Sequence, residues 1–203
     1  MEREDWDERY AGQELLWRAE PNRFLVSETA DLQPGRALDL ACGEGRNAIW
    51  LAERGWHATG VDFSAAGLAK ARRRAAERGV DVEWVEADVR EWRPPGPYDL
   101  VIVFYVQLPA AERREVTALA ARAVGPGGHL LVVAHDSANL TEGIGGPQDP
   151  AVLFTASDVL EDLAGLDGVS FSVERAERVR RPVATEDGEA DALDVLVRVR
   201  RTG

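Results

Sequence analysis

The sequence has a single cysteine, no long apolar run and fewer basic than acidic side chains, and each shortage excludes a class of protein. Cys42 alone cannot form a disulfide within the chain or build a cysteine metal cluster, so we predict no metal and a reducing, cytoplasmic location. No apolar run approaches the roughly 20 residues that cross a bilayer. The charged start, MEREDWDERY, is unlike a secretory signal. We therefore expect no membrane partner.

The charge balance argues against nucleic-acid binding. The 24 basic and 36 acidic side chains leave a formal net charge of −12, whereas a general nucleic-acid binder needs a basic surface. The sequence does not indicate an oligomeric state.

Strand and helix patterns alternate along the middle of the chain. Continuous apolar strands that alternate with helices indicate a parallel sheet covered on both faces. Two late strands with no helix between them indicate an antiparallel hairpin. GPGG at 125–128 is predicted as a tight turn, 136–150 as a Gly/Pro-rich loop, and TEDGEAD as the hairpin turn. Predicted strands are 37–41, 57–61, 82–85, 98–105, 129–134, 170–179 and 193–199; predicted helices are 24–31, 46–54, 65–78, 110–123 and 157–163, besides a short amphipathic helix near the start.

This pattern predicts one domain with three parts. Residues 1–34 form an N-terminal helical appendage, 35–135 a ligand-binding core, and 136–203 a substrate loop and C-terminal hairpin. No repeat or low-complexity linker interrupts the chain.

The stretch ALDLACGEGRNA, residues 37–48, predicts a buried strand, a glycine-rich turn and a helix start. Gly43, Gly45 and Ala48 match the G-x-G-x-x-G/A fingerprint, and Asp62 follows 19 positions after Gly43 at the end of the next strand. Glycines let the backbone approach a ligand, and an acid at the second strand can bind ribose hydroxyls. The fingerprint alone fits a nicotinamide dinucleotide as well as other nucleotide-like ligands.

Two further acids favour a different ligand. Asp39 lies near the end of the first strand, where a carboxylate would repel a pyrophosphate and suit an ammonium group. Asp88, in EADV at 86–89, follows the third strand and could accept a hydrogen bond from a purine amine. Cys42 is interpreted as a small residue of the turn rather than a nucleophile.

At these residues the chain resembles the class I S-adenosylmethionine-dependent methyltransferases. LDLACGEG, GVDFS, EADV and YDLVIVFY are similar to the family's first four motifs, in order. The resemblance implies an α/β, Rossmann-like, doubly wound sheet of seven strands, in the order 3-2-1-4-5-7-6 with strand 7 antiparallel. GEGRN and WDERY resemble the small-molecule branch that includes tellurite-resistance and thiopurine methyltransferases, in which an N-terminal aromatic segment forms a lid over the cofactor.

The resemblance also implies roles for individual residues. Asp39 and the 41–45 backbone hold the methionine part of S-adenosylmethionine, Asp62 binds the ribose, and Phe104 and Tyr105 face the sulfonium and the acceptor. The implied cofactor-binding residues are Trp6, Tyr10, Asp39, Ala41, Gly43, Gly45, Arg46, Asp62, Phe63, Asp88, Val89 and Phe104.

The expected activity is methyl transfer to a small-molecule thiol, chalcogen anion, amine or hydroxyl, with S-adenosylhomocysteine as product. Tyr105 and His135 are the candidate bases for a hydroxyl or amine, and a hydrogen-bonded structural role is the favoured alternative for His135. Arg180 and Arg181, near the start of the hairpin loop, could attract an anionic substrate, but they are interpreted as a solvated face. The alternatives are an NAD-dependent oxidoreductase, which would share the glycines and Asp62, and a non-catalytic S-adenosylmethionine-binding protein.

Overall fold

The structure is a computed structural model that describes residues 3–12, 15, 19–185 and 188–203. Its seven strands form one sheet in the order β3-β2-β1-β4-β5-β7-β6, which confirms the order implied by the family resemblance. The strands are β1 Arg36–Leu40, β2 His57–Asp62, β3 Glu83–Glu86, β4 Tyr98–Phe104, β5 Val124–His135, β6 Phe171–Thr185 and β7 Gly188–Arg201. The helices are α1 Arg3–Ala11, α2 Arg23–Glu28, α3 Arg46–Glu53, α4 Ala65–Arg78, α5 Ala110–Ala123, α6 Asn139–Glu142 and α7 Ala156–Ala164, with a 3-10 turn at Pro150–Val152.

The chain divides into two compact units, residues 1–102 and 103–203. In the first unit β1, β2 and β3 are parallel, with Leu40 opposite Val61 and Asp62 opposite Glu86. Their carboxyl ends therefore lie at one edge. Strand β1 is buried from its second residue onward because its side chains are almost all apolar.

Helix α4 has a suitable residue at each end. The Ser64 hydroxyl caps the helix by accepting a hydrogen bond from the Gly67 N–H at 3.0 Å. Gly79 ends the helix with a φ of +66°, a left-handed conformation that glycine adopts without a steric penalty.

The described part of the N-terminal appendage contains two short helices. In α1, Tyr10 is buried, and the Asp7 carboxylate accepts hydrogen bonds from the Ser64 hydroxyl and the Ala66 N–H at the start of α4. Helix α2 is shorter than predicted and is capped by Asn22.

In the second unit β7 runs antiparallel to both β5 and β6, which confirms the predicted hairpin. The hairpin strands are longer than predicted, and residues 186–187 of its turn lie outside the described residues. The turn predicted at GPGG is part of β5, where the side chains of Arg200 and Arg201 donate hydrogen bonds to the carbonyls of Gly127 and Val124. These bonds join the segment to β7.

The loop at 136–150 is anchored to β7. Asn139 is 2% exposed; its side-chain oxygen accepts a hydrogen bond from the Leu193 N–H at 2.7 Å, and its amide donates to the Gly145 carbonyl at 2.8 Å. Among the described residues, no helix has the length and apolarity needed to span a membrane.

Candidate active site

The turn between β1 and α3 brings backbone groups close together. Its residues Ala41, Gly43 and Gly45 all have positive φ values, of +58°, +53° and +73°. A Cβ atom on Gly45 would overlap the Trp84 ring and lie 2.9 Å from the Ala71 methyl, so only glycine fits there. Ala41 is a non-glycine residue in a left-handed conformation, a strained arrangement that is common at ligand-binding sites.

Asp62 closes this turn from the end of β2. Its carboxylate accepts hydrogen bonds from the Gly43 N–H at 2.7 Å and the Ser64 N–H at 2.8 Å, one on each oxygen. Burial raises the pKa of Asp62, and the two backbone hydrogen bonds oppose that shift. A carboxylate oxygen can accept more than one hydrogen bond, so Asp62 keeps acceptor capacity for ribose hydroxyls.

Asp39 lies at the same turn with one oxygen unsatisfied. The residue is 2% exposed, and its Oδ2 has no hydrogen-bond partner among the described residues. Burial raises the pKa of Asp39 to about 7, while the positive charge of Arg46 opposes the shift. A buried, unpartnered carboxylate is energetically unfavourable, and a bound cation would relieve that cost.

The residues predicted to surround adenine lie at the ends of β2 and β3. Val89 is buried and Phe63 half-buried. Asp88 already has a partner, because the Arg90 guanidinium binds both of its oxygens, at 3.0 Å from Nε to Oδ1 and 2.6 Å from Nη2 to Oδ2. The Arg90 hydrogen bonds lower the pKa of Asp88, so Asp88 would have to share its oxygens with Arg90 to bind adenine.

Helix α1 lies against the turn. The Tyr10 hydroxyl is so near Gly43 that a Cβ atom there would lie 2.5 Å from it. Trp6 stacks on Tyr10, with ring centroids 5.6 Å apart. Burial also raises the pKa of the Cys42 thiol well above its usual value, which disfavours the thiolate and agrees with the reading of Cys42 as a non-nucleophilic residue.

In the second unit, polar side chains gather around Asp194, which is fully buried. Its Oδ2 accepts hydrogen bonds from the Tyr105 hydroxyl at 2.8 Å and from Arg181 Nε at 2.6 Å. Its Oδ1 accepts a longer hydrogen bond from Arg181 Nη2, at 3.5 Å, and lies 3.2 Å from His135 Nδ1 without the alignment of a hydrogen bond. Burial would raise the pKa of Asp194, but interactions with His135, Arg181 and Tyr105 together hold it below the usual value.

The neighbouring backbone fixes Tyr105 and His135. Tyr105 follows β4 with a φ of +56°, and its N–H donates to the Val133 carbonyl at 2.7 Å. The His135 N–H donates to Gln107 Oε1 at 2.8 Å. Phe104, at the end of β4, is 7% exposed. No group of three histidine, cysteine or acidic side chains that could hold a metal is found in the described part of the chain.

Comparison with known proteins finds similarity to methyltransferases. Residues 37–128 match the methyltransferase domain model. The chain is 36% identical to a demethylmenaquinone methyltransferase of Thermus thermophilus over 125 residues, 60% of this chain and 55% of that protein. It is 33% identical to a ubiquinone biosynthesis O-methyltransferase of Cronobacter sakazakii over 120 residues, 57% of this chain and 49% of that protein. Over residues 37–128 the chain is therefore similar to methyltransferases.

The same fold occurs in a solved methyltransferase. The N-methyltransferase NodS from Bradyrhizobium japonicum, in complex with S-adenosylhomocysteine, matches with a TM-score of 0.72 and 19% identity, over 99% of this chain and 98% of that one. This likeness shows the fold. The chain spans about half the length of the curated relatives it matches.

Two residues of the second unit were missed or misread from the sequence. Asp194 interrupts the apolar run of the predicted strand 193–199, a signal of the kind that drew attention to Asp39. Arg181, interpreted as solvated, has a side chain only 25% exposed that is paired with Asp194. That interpretation was wrong because the hairpin strands extend beyond their predicted ends and place Arg181 opposite Ala192 of β7.

Proposed function

We propose that the protein transfers the methyl group of S-adenosylmethionine to a small-molecule nucleophile. The observation that carries this proposal is the buried Asp39 Oδ2, which has no partner among the described residues and lies beside the glycine turn. A pyrophosphate would be repelled by this carboxylate. An amino acid's ammonium group would pair with it.

The residues of the first unit fit the cofactor. Asp39 would bind the ammonium of the methionine part, with the backbone from Ala41 to Gly45 alongside. Asp62 would bind the ribose hydroxyls, and its bonds to Gly43 and Ser64 hold it in place for this. Phe63, Val89 and Asp88 would surround adenine. Trp6, Tyr10 and Arg46 complete the proposed set.

Helix α1 would act as the lid over the turn. Tyr10 reaches Gly43, and Asp7 ties the helix to the start of α4 through Ser64 and Ala66. These contacts support the role proposed for Trp6 and Tyr10, which would exclude water from the cofactor.

S-adenosylmethionine supplies an activated methyl group, which an acceptor lone pair attacks as the carbon–sulfur bond breaks, leaving S-adenosylhomocysteine. The protein's contribution is therefore to align the acceptor and to exclude water. Phe104 would contribute an apolar wall. Tyr105 and His135 are the groups available to manage a proton where the acceptor carries one.

The acceptor is proposed to be a small molecule, with the reaction taking place in the cytoplasm. The relatives act, by their names, on demethylmenaquinone and in ubiquinone biosynthesis, and these names support a small organic acceptor. The acidic composition supports an acceptor other than nucleic acid. No observation favours the oxidoreductase or the non-catalytic binder.

Calorimetric titration tests the cofactor. We expect S-adenosylmethionine and S-adenosylhomocysteine to bind and NAD not to bind. The Asp39→Asn variant should bind S-adenosylmethionine more weakly, whereas Asp81→Asn, which changes an exposed acid before β3, should not. NAD binding alone would contradict the proposal. Mass detection of methylated product from a panel of thiols, phenols and amines then separates an enzyme from a binder.

A further inference from the structure

The Asp194 cluster is arranged around a single histidine, and its arrangement is asymmetric. Tyr105 and Arg181 Nε bind Oδ2 at 2.8 and 2.6 Å, whereas Oδ1 accepts a long bond of 3.5 Å from Arg181 Nη2 and lies 3.2 Å from His135 Nδ1. We propose that Asp194 is a positioning residue that orients His135 as a general base, and that the methyl acceptor is therefore a phenolic hydroxyl. This inference rests on the proposed methyl transfer.

The surroundings of His135 leave Asp194 as the group that sets its tautomer. Nδ1 is buried and has no hydrogen bond within the described residues, and Asp194 Oδ1 is the acceptor within reach. Catalytic hydrogen bonds are often poorly aligned before substrate binds. A proton on Nδ1 that faces Asp194 leaves the lone pair on Nε2, which makes Nε2 the basic atom.

The imidazole ring is held from two further sides. The Tyr105 ring lies 5.0 Å away between centroids. The backbone of the 136–150 loop packs on the ring at Gly146, where a Cβ atom would approach it to 2.9 Å. With its backbone N–H bonded to Gln107, His135 has little freedom to turn. Because the ring is held in place, His135 Nε2 points in a fixed direction.

The charges around the ring are balanced for taking up a proton. Asp194 of β7 is negative, Arg181 of β6 is positive, and Tyr105 after β4 is neutral. The adjacent charged residues are paired: Arg180 with Asp191, and Arg178 with Asp136, each at 2.9 Å. When His135 becomes positive it would face the Asp194 carboxylate, which stabilises the imidazolium as a carboxylate does in other catalytic dyads.

The proton balance selects the acceptor class. A phenol attacks through an oxygen lone pair, and its O–H proton must leave as the oxygen–carbon bond forms; Nε2 takes that proton and later releases it to water. Imidazole titrates near pH 6.5 and phenols near about 10, so transfer between them is feasible once the oxygen loses electron density. Thiols ionise more readily, near about pH 8.5, and need such a base less.

The tautomer is measurable in the wild-type protein. The chain has three histidines, and a long-range nitrogen–proton NMR correlation spectrum distinguishes their ring nitrogens, with His135→Gln identifying the His135 signals. We expect the proton of neutral His135 on Nδ1. A proton on Nε2 would overturn the proposal without involving catalysis or folding of a variant.

The activity test compares two phenols. Asp194→Asn should lower the rate with phenol about 100-fold, because an amide can donate to Nδ1 and reverse the tautomer. The loss should be much smaller with 4-nitrophenol, which ionises near neutral pH and needs no base. Asp191→Asn, an acid on the same strand that pairs with Arg180, is the matched control and should change neither rate.

Equal losses on both phenols would show that Asp194 has only a structural role, as would loss of S-adenosylmethionine binding measured by calorimetry. If the wild-type protein binds S-adenosylmethionine and methylates thiophenol but no phenol, the phenolic acceptor is rejected. The proposed function remains intact in that case. Failure to bind S-adenosylmethionine would instead reject the proposed function.

Discussion

The Asp62 carboxylate accepts a hydrogen bond from the Gly43 N–H at 2.7 Å, which joins the end of β2 to the turn that follows β1. The other oxygen of Asp62 binds the Ser64 N–H at the cap of α4. One buried side chain therefore sets both the shape of the glycine turn and the start of a helix. Asp62 is therefore both a proposed ligand-binding residue and the residue that holds the glycine turn in shape.

The Asp62→Asn variant should bind S-adenosylmethionine about 10- to 100-fold more weakly, because the amide replaces one charged acceptor by a donor that faces a backbone N–H. Calorimetric titration measures the loss. The Asp81→Asn variant is the control for a general charge effect. Unchanged affinity in Asp62→Asn would contradict the ribose-binding role, and a matching loss in Asp81→Asn would show that the effect is not local.

The pH dependence of cofactor binding should follow Asp39. Burial raises its pKa to about 7, and an ammonium ligand needs the ionised form. Affinity for S-adenosylmethionine should therefore increase by up to about tenfold per pH unit below pH 7 and level off until the ligand's own ammonium loses its proton, at about pH 8. Calorimetry in two buffers of different ionisation enthalpy should detect release of a proton at pH 6 and a smaller release at about pH 7.5. Asp39→Asn should abolish this difference.

The stability of the free protein should change in the opposite direction. Because the folded-state pKa of Asp39 lies above the ordinary value of 3.8, the folded state binds the proton between these values. The contribution of Asp39 to the free energy of unfolding is fully present below pH 3.8 and is lost as the pH rises towards about 7. Urea unfolding at pH 5 and pH 8 should show this change reduced in Asp39→Asn relative to wild type.

The glycine turn and its acids could be predicted from sequence because they depend on short-range patterns. Gly43, Gly45 and Asp62 follow strands whose apolar runs are clear, and parallel pairing brings their ends together. Asp194 was missed because Tyr105, which binds it, lies 89 positions away. Its partners come together only when β5, β6 and β7 pair, and one sequence does not reveal that register.

The hairpin length was underestimated for a physical reason as well. Strand β6 is at the edge of the sheet and most of its side chains are exposed, so its charged residues look like a loop in the sequence. Charges on an edge strand are common because they oppose pairing with other chains.

The Gly45→Ala variant should be less stable than Gly79→Ala. Both glycines have left-handed backbones, at φ values of +73° and +66°, so an alanine methyl costs about 1 kcal/mol or more at either position. A Cβ atom at Gly79 has no atom within 4 Å, whereas one at Gly45 would overlap Trp84. Urea unfolding should therefore show a larger loss for Gly45→Ala, and equal losses would mean that Trp84 moves away without cost.

The ion pair between Arg113 of α5 and Asp162 of α7 tests how the second unit is held together. Arg113 Nε donates to Asp162 Oδ2 at 2.7 Å, and the two side chains are 9% and 2% exposed. Asp162→Ala should lower the free energy of unfolding by about 3 kcal/mol, because it leaves the Arg113 charge buried without its main partner. Urea denaturation measures this loss.

An exposed pair provides the control for that variant. Glu177 accepts from Arg175 Nε at 2.6 Å, but the side chains are 52% and 38% exposed, so Glu177→Ala should cost less than about 1 kcal/mol. Replacing both Arg113 and Asp162 by leucine should recover much of the stability that Asp162→Ala loses, since no unpaired charge remains. If the double variant is no more stable than Asp162→Ala, the loss comes from packing between α5 and α7 rather than from the buried charge.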